Sequence, residues 1–70
     1  MAGEATPGPL DEEDVRLLAL LAEGIPPLVV ARRMGMSERT FRRRVRAICD
    51  RLNVPSAITA VAWAAKRGLL

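Results

Sequence analysis

A three-residue break between two helical stretches constrains the fold of this chain more than any other feature. The break consists of Gly35, Met36 and Ser37. Glycine readily takes the left-handed conformation that ends a helix, and serine is a preferred cap at the start of the next one. Two helices joined by so short a link must turn sharply and pack against each other. The small Ala31 would let them approach closely, so the sequence predicts a tight helical crossing at its centre.

Similar signals bound the two helices that come before this break. Asp11 and Asp14 are spaced as a capping box for a first helix, and Gly24 is suited to end it. A second helix is expected to begin at one of the prolines at positions 26 and 27, because proline is tolerated in the first turn of a helix. It should run to about Met34.

Two more helices follow the break. The third is expected to run from the cap at Ser37 to roughly Leu52, where Asn53 can take a left-handed conformation. Ser56 caps a fourth helix, which closes at Gly68. No segment shows the pattern of a strand. The predicted fold is therefore an all-α, four-helix domain with a helix-turn-helix at its centre and no winged hairpin.

Length and composition exclude several classes of protein. Seventy residues, half of them apolar, suit one small globular domain, predicted over residues 10–70 behind a flexible N-terminal tail at residues 1–9. With a single cysteine, Cys49, and no histidine, we expect no internal disulfide, no metal or cofactor site and no enzyme active site. Because no apolar run could span a bilayer and the first residues do not resemble a signal peptide, we expect a cytoplasmic protein without a membrane partner.

Charge is divided unevenly along the chain. Residues 1–30 hold six acidic residues and one arginine, whereas residues 31–51 hold eight arginines and two acidic residues. Such segregation indicates an anionic partner for the middle of the chain. Nearly all the basic residues are arginine, whose planar fork of donors matches phosphate groups and guanine edges.

The third helix should be apolar on one side and basic on the other. Its apolar positions fall within roughly 60° of one another around the helix axis: Phe41, Val45, Ile48 and Leu52. Its opposite side carries four arginines: Arg39, Arg42, Arg43 and Arg46. An ordinary solvated face is the alternative interpretation, but uncompensated like charges repel one another. The arrangement favours a helix that is anchored by its apolar side and enters the major groove of DNA with its arginines.

Three stretches of the sequence are similar to the LuxR-type (GerE-like) DNA-binding domain of bacterial transcriptional regulators. They are GPLDEEDVRLLALLAEG, VVARRMGMSERTFRRRVRAICDRLNV and AVAWAAKRGLL, which together cover about residues 10–70. The resemblance implies a four-helix domain that binds double-stranded promoter DNA as a dimer through its fourth helix. The chain would then be a stand-alone regulator or the effector domain of a longer one.

The resemblance also implies roles for individual residues. Base-reading positions are matched by Arg42, Arg43 and Arg46. Contacts with the DNA backbone are expected from Ser37, Arg39, Thr40 and Arg44. The dimer interface is expected to include Thr59, Trp63 and Lys66. Trp63 fits a partly buried core position equally well, and the sequence leaves the two roles open.

The sequence departs from the family pattern at three places. Ile25-Pro26-Pro27-Leu28-Val29 replaces a polar opening of the second helix, and Pro55-Ser56-Ala57 replaces a basic residue before the fourth. Arg44 stands where the family usually has histidine, a change expected to strengthen the attraction to DNA.

An alternative function is a protein-interaction module that contacts RNA polymerase or another regulator. Leu28 and Val29 would form an apolar spot on its surface, and Trp63 would join them in the contact. Isolated apolar residues at a surface are common, so this alternative has weaker support than DNA binding. A buried, inert thiol is the favoured interpretation of Cys49, with a redox switch as the other possibility.

Overall fold

The computed structural model describes residues 9–70, which form four α-helices and no strand. The helices are α1 (Glu12–Ala22), α2 (Pro27–Arg33), α3 (Glu38–Leu52) and α4 (Ala57–Lys66). The all-α, four-helix prediction is confirmed, and residues 9–70 contain no winged hairpin. The tail predicted at residues 1–9 lies outside the described residues, apart from Pro9.

Helix α1 begins and ends at the residues that its sequence indicates. The Asp14 backbone N–H donates to Asp11 Oδ1 at 2.8 Å, and the Asp11 backbone N–H donates to Asp14 Oδ2 at 3.2 Å, which completes the capping box. Gly24 follows the helix at φ +86°. The N–H groups of Gly24 and Ile25 then reach the carbonyls of Leu21 and Leu20, at 3.0 and 3.4 Å. These bonds satisfy carbonyl groups that the end of the helix would otherwise leave unpaired.

The link between α2 and α3 is fixed by hydrogen bonds on both sides. Gly35 has φ +71°, and the Met36 N–H donates to the Ala31 carbonyl at 2.8 Å. Ser37 Oγ accepts a hydrogen bond from the Thr40 backbone N–H at 3.1 Å and so caps α3. The helix-turn-helix geometry therefore comes from glycine at one end of the link and serine at the other, as the sequence predicts.

The core lies where α1 and α3 meet α4, and α2 packs against α1 and α3. Its buried apolar residues are Leu10, Leu17, Leu18, Val30, Ala31, Phe41, Ile48, Cys49, Leu52, Ala60 and Ala64. Each fully buried leucine or isoleucine stabilises the fold by about 1.5–3 kcal/mol relative to an exposed position. Two of the core positions of α4 are alanines, which lets this helix approach its neighbours closely.

Helix α3 ends at Leu52 and is followed by its cap, Asn53. Asn53 has φ 58°, the only positive φ outside glycine among residues 9–70. Helix α4 then begins with a second capping box. The Ser56 N–H donates to Thr59 Oγ1 at 3.0 Å, and the Thr59 N–H donates to Ser56 Oγ at 3.4 Å. None of the helices in the described part of the chain has the length and apolar character needed to cross a membrane.

Candidate nucleic-acid interface

Four exposed arginines form a basic ridge on α3, defined here as Arg39, Arg42, Arg43 and Arg46. The opposite side of the helix carries Phe41, Ile48 and Leu52, which are buried in the core. Val45, on the same side, is half-buried against it. Burial of that side fixes the rotation of the helix about its axis, so the arginines project into solvent. The predicted division of α3 into an anchored side and a basic side is confirmed.

Among the described residues, the charge of the basic ridge has few ion-pair partners. Within residues 9–70, Arg42 is the one ridge arginine with an ion pair, between its Nη2 atom and Glu38 Oε2 at 2.8 Å. Both side chains are well exposed, at 76% and 52%. Exposed pairs four residues apart on a helix contribute only about 0.3–0.5 kcal/mol, so a DNA contact could replace this one at small cost.

Arg44 lies off the ridge and has a partner that the sequence did not indicate. Its Nη1 atom donates to Glu13 Oε1 of α1 at 2.7 Å and lies 3.6 Å from Asp14 Oδ1. The hydrogen bond to Glu13 raises the pKa of Arg44 above its ordinary value, and nearby carboxylates add to the effect. Among the acidic residues at the start of α1, only Asp11 and Asp14 have a role predicted from the sequence, as a capping box. No local pattern could have shown that Glu13 meets an arginine 31 positions later.

Asp14 ties α1 to α3 from inside the domain. Asp14 is only 1% exposed, and its Oδ2 atom accepts a hydrogen bond from Arg51 Nη1 at 3.2 Å. Arg51 also donates to the Pro9 carbonyl at 3.0 Å. Asp14 Oδ1 has no hydrogen-bond partner among the described residues and has Arg44 as a neighbouring positive charge. Arg44 and Arg51 thus form, with the acidic residues of α1, a bridge that joins the two helices.

The two hydroxyl groups at the start of α3 differ in what they can offer a ligand. Ser37 Oγ donates to Thr40 Oγ1 at 3.0 Å and also accepts from the Thr40 backbone N–H. No acceptor for the Thr40 hydroxyl proton is present within residues 9–70. Both residues are exposed. Thr40 is therefore the one with a hydroxyl donor still available to a phosphate oxygen.

The residues expected at a dimer interface lie along α4 in three different environments. Thr59 is half-buried, and its hydroxyl donates to the Ser56 carbonyl at 2.7 Å within the helix. Trp63 is half-buried against the core, and the Arg67 guanidinium lies 3.9 Å from the centroid of its ring. Lys66 is exposed.

The structure adds an apolar stripe on α4 that sequence reasoning missed. Ile58 is 81% exposed, and the exposed Ala62 and Ala65 follow it four and seven residues later. Positions with this spacing lie on one side of a helix. Ile58 belongs to the run AITAVAWAA, in which nearly every residue is apolar. Periodicity in such a run does not separate the core side from the exposed side, so it provides no signal for this stripe.

The other residues singled out from the sequence have clear environments. Leu28 is 56% exposed at the start of α2, whereas Val29 is half-buried. Cys49 is buried, and desolvation followed by the negative charge of Asp50 raises the pKa of its thiol. A buried thiol with a raised pKa reacts slowly, which agrees with the interpretation of Cys49 as inert. No group of side chains within residues 9–70 could hold a metal ion.

Comparison with known proteins gives two matches. A family model described as a homeodomain-like domain matches residues 12–56, from the start of α1 to the cap of α4. The transcriptional regulatory protein YdfI of Bacillus subtilis (strain 168) is 34% identical over 61 residues. The match covers 87% of this chain but only 29% of the relative, so the chain spans less than a third of that protein's length. No solved structure matches.

Proposed function

This chain belongs to the homeodomain-like domain family, and from that premise we propose that it binds double-stranded DNA in a sequence-specific manner. The biological role proposed is bacterial transcription regulation, by this chain alone or as the DNA-binding part of a longer regulator. The observation that carries the proposal is the basic ridge. Its arginines are exposed on a helix whose opposite side is locked in the core, and three of them lack a carboxylate partner within residues 9–70.

In the proposed complex, α3 lies in the major groove. Arg42, Arg43 and Arg46 would contact base edges there, because arginine can donate two hydrogen bonds to O6 and N7 of guanine. Each such contact contributes about 1–3 kcal/mol of discrimination against the wrong base. The ion pair between Arg42 and Glu38 would open on binding, at the small cost given above.

Contacts with the DNA backbone would set the position of α3 in the groove. The proposed residues are Ser37, Arg39, Thr40 and Arg44. Ser37 caps α3, and Arg39 and Thr40 stand in its first turn, where helix N–H groups also favour a phosphate. Arg44 lies one turn further along the helix. A DNA phosphate would have to compete with Glu13 for the Arg44 guanidinium.

We further propose the LuxR-type arrangement, in which two copies bind as a dimer through α4. Thr59, Trp63 and Lys66 remain the residues proposed from the sequence, and exposure of Ile58 supports an apolar contact beside them. One module of this size buries only about 600–1,000 Å² on DNA, so two copies would be needed for strong binding. A two-fold pair would place its half-sites about 10 base pairs apart.

Two measurements test DNA binding. Selection of bound oligonucleotides from a random pool should recover a preferred sequence, and an inverted or direct repeat would support the dimer. Fluorescence anisotropy with that duplex should then show that Arg43→Ala weakens binding to the preferred site by about 1–3 kcal/mol, and binding to random DNA by less. Arg16→Ala is a matched control, because Arg16 is an exposed arginine that lies on α1 and not on α3. Equal, small effects of the two substitutions would contradict the proposal.

Exposure of Leu28 favours a second candidate function, contact with RNA polymerase or another regulator. Leu28, Val29 and Trp63 would form the contact. Under this alternative, Trp63→Ala and Leu28→Ser should abolish binding of the partner protein, while Arg43→Glu should have little effect. Under the DNA-binding proposal, Arg43→Glu should have the larger effect, since reversing a ridge charge should abolish binding to duplex DNA.

A further inference from the structure

The ion pair between Glu13 and Arg44 links the start of α1 to the middle of α3. The two charged groups meet at 2.7 Å, and Asp14 Oδ1 adds a second negative charge 3.6 Å from the same nitrogen. The Arg44 side chain is 31% exposed and that of Glu13 is 56% exposed. The pair is therefore partly screened by solvent and still open to competition from another anion.

Arg44 shares one flank of α3 with two of the residues proposed to meet phosphates. Thr40 lies four positions before it and Ser37 seven positions before it, and residues at these spacings line up along a helix. A DNA backbone that follows this flank would next meet the Arg44 guanidinium. In the free protein, a carboxylate already holds that group.

We propose that Glu13 is an intramolecular competitor for phosphate at Arg44, which lowers the affinity of the domain for DNA of every sequence. The inference rests on the proposed function. A phosphate that approached Arg44 would have to displace the Glu13 carboxylate or accept its repulsion. Glu13 reaches no ridge arginine through an ion pair within residues 9–70, so base reading would be left unchanged.

Neighbouring residues provide a matched control. Glu12 lies in the same turn of α1, is exposed and forms no ion pair among the described residues. Replacing Glu12 or Glu13 by glutamine changes the net charge and the helix terminus equally. Only the Glu13 variant releases Arg44. The capping box, formed by Asp11 and Asp14, stays intact in both.

The test compares the wild type, Glu12→Gln, Glu13→Gln, Arg44→Gln and the double variant that carries both Glu13→Gln and Arg44→Gln. Affinity for the selected duplex and for a random duplex is measured between about 50 and 200 mM salt, the range in which phosphate contacts show a clear dependence. Glu13→Gln should steepen the slope of log affinity against log salt by about 0.9, the value for one added phosphate contact. At about 0.1 M salt its affinity should rise by roughly five- to tenfold, equally for both duplexes.

The remaining variants show whether the gain comes from Arg44. Arg44→Gln alone should lower the wild-type slope by clearly less than 0.9, because Glu13 already offsets most of the charge that Arg44 offers to a phosphate. In the Glu13→Gln background, Arg44→Gln should remove the gain completely. Thermal unfolding of all five proteins checks that they are folded at the temperature of the binding assay.

Two results would overturn the competition by Glu13 while leaving DNA binding intact. One is a Glu13→Gln variant that binds no better than Glu12→Gln. The other is a slope that falls by the full 0.9 on Arg44→Gln in the wild-type background, since the phosphate contact of Arg44 would then not be weakened by Glu13. Absence of salt-dependent duplex binding by the wild type would instead overturn the proposed function, and this inference with it.

Discussion

Replacing Asp14 by alanine should destabilise the domain more than any other single change at a charged residue of α1. The substitution removes a hydrogen bond to the Asp11 N–H at 3.2 Å, worth about 1 kcal/mol. It also removes the bond from Arg51, also at 3.2 Å. Hydrogen bonds to charged groups contribute about 1.5–3 kcal/mol, and half-exposure of Arg51 reduces that to roughly 1–1.5 kcal/mol. The expected loss is about 2–2.5 kcal/mol.

That loss is large for a domain of this size. At about 0.05–0.15 kcal/mol per residue, seventy residues give a free energy of unfolding of roughly 3.5–10 kcal/mol. Asp14→Asn keeps an oxygen for the Asp11 N–H but loses the charge, so it should cost about 1–2 kcal/mol. Urea denaturation measures the free energy of unfolding of both variants. The transition is monitored by far-ultraviolet circular dichroism and by the fluorescence of Trp63, the single tryptophan.

Glu12→Ala is the control for Asp14→Ala, because Glu12 is an exposed acidic residue in the same helical turn. It should change the free energy of unfolding by only about 0.5 kcal/mol. The dependence of stability on urea should keep the same slope in all variants, since the surface exposed on unfolding is unchanged. If Asp14→Ala were no more destabilising than Glu12→Ala, the buried carboxylate would not stabilise the contact between α1 and α3.

Three further substitutions test the helix-turn-helix and the core by the same urea method. Gly35→Ala should cost about 1 kcal/mol, because Gly35 has φ +71° and the strain arises from backbone conformation without a steric clash. Ser37→Ala should cost about 1 kcal/mol through loss of the α3 cap, and a change near zero would show that the cap contributes little. Burial raises the pKa of Cys49, so the unfolded chain loses this proton at lower pH than the folded protein. Stability should therefore fall as pH rises above about 8.5, and Cys49→Ala should remove that part of the pH dependence.

Most of the fold could be predicted from local signals. Each helix begins at a capping residue or a proline and ends beside a glycine or Asn53, and such signals act within a few residues of their own position. The buried side of α3 was also predictable, because Phe41, Ile48 and Leu52 repeat at helical spacing in a helix that is otherwise polar. In α4 the same reasoning could not separate the core from the surface, and Ile58 was missed.

The candidate site was predictable to the extent that helical geometry determines it. Exposure of Arg43 and Arg46 follows from burial of the opposite side of α3. The partners of Arg44 and Arg51 depend on how α1 crosses α3, which is a tertiary contact without a local signal. The histidine-to-arginine departure at Arg44 suggested more charge for DNA. In the structure, Glu13 offsets that charge.

The number of arginines in this segment therefore overstates the positive charge available to DNA. Of the eight arginines in residues 31–51, Arg44 and Arg51 are paired with carboxylates of α1, and Arg42 is paired with Glu38. Arg43 and Arg44 differ by one position, or about 100° around the helix axis. That rotation decides whether a guanidinium faces solvent or an acidic residue of another helix. The number of counterions released on binding scales with the number of phosphates that the protein neutralises. The salt dependence of binding should therefore reflect about five or six arginines of this segment at most.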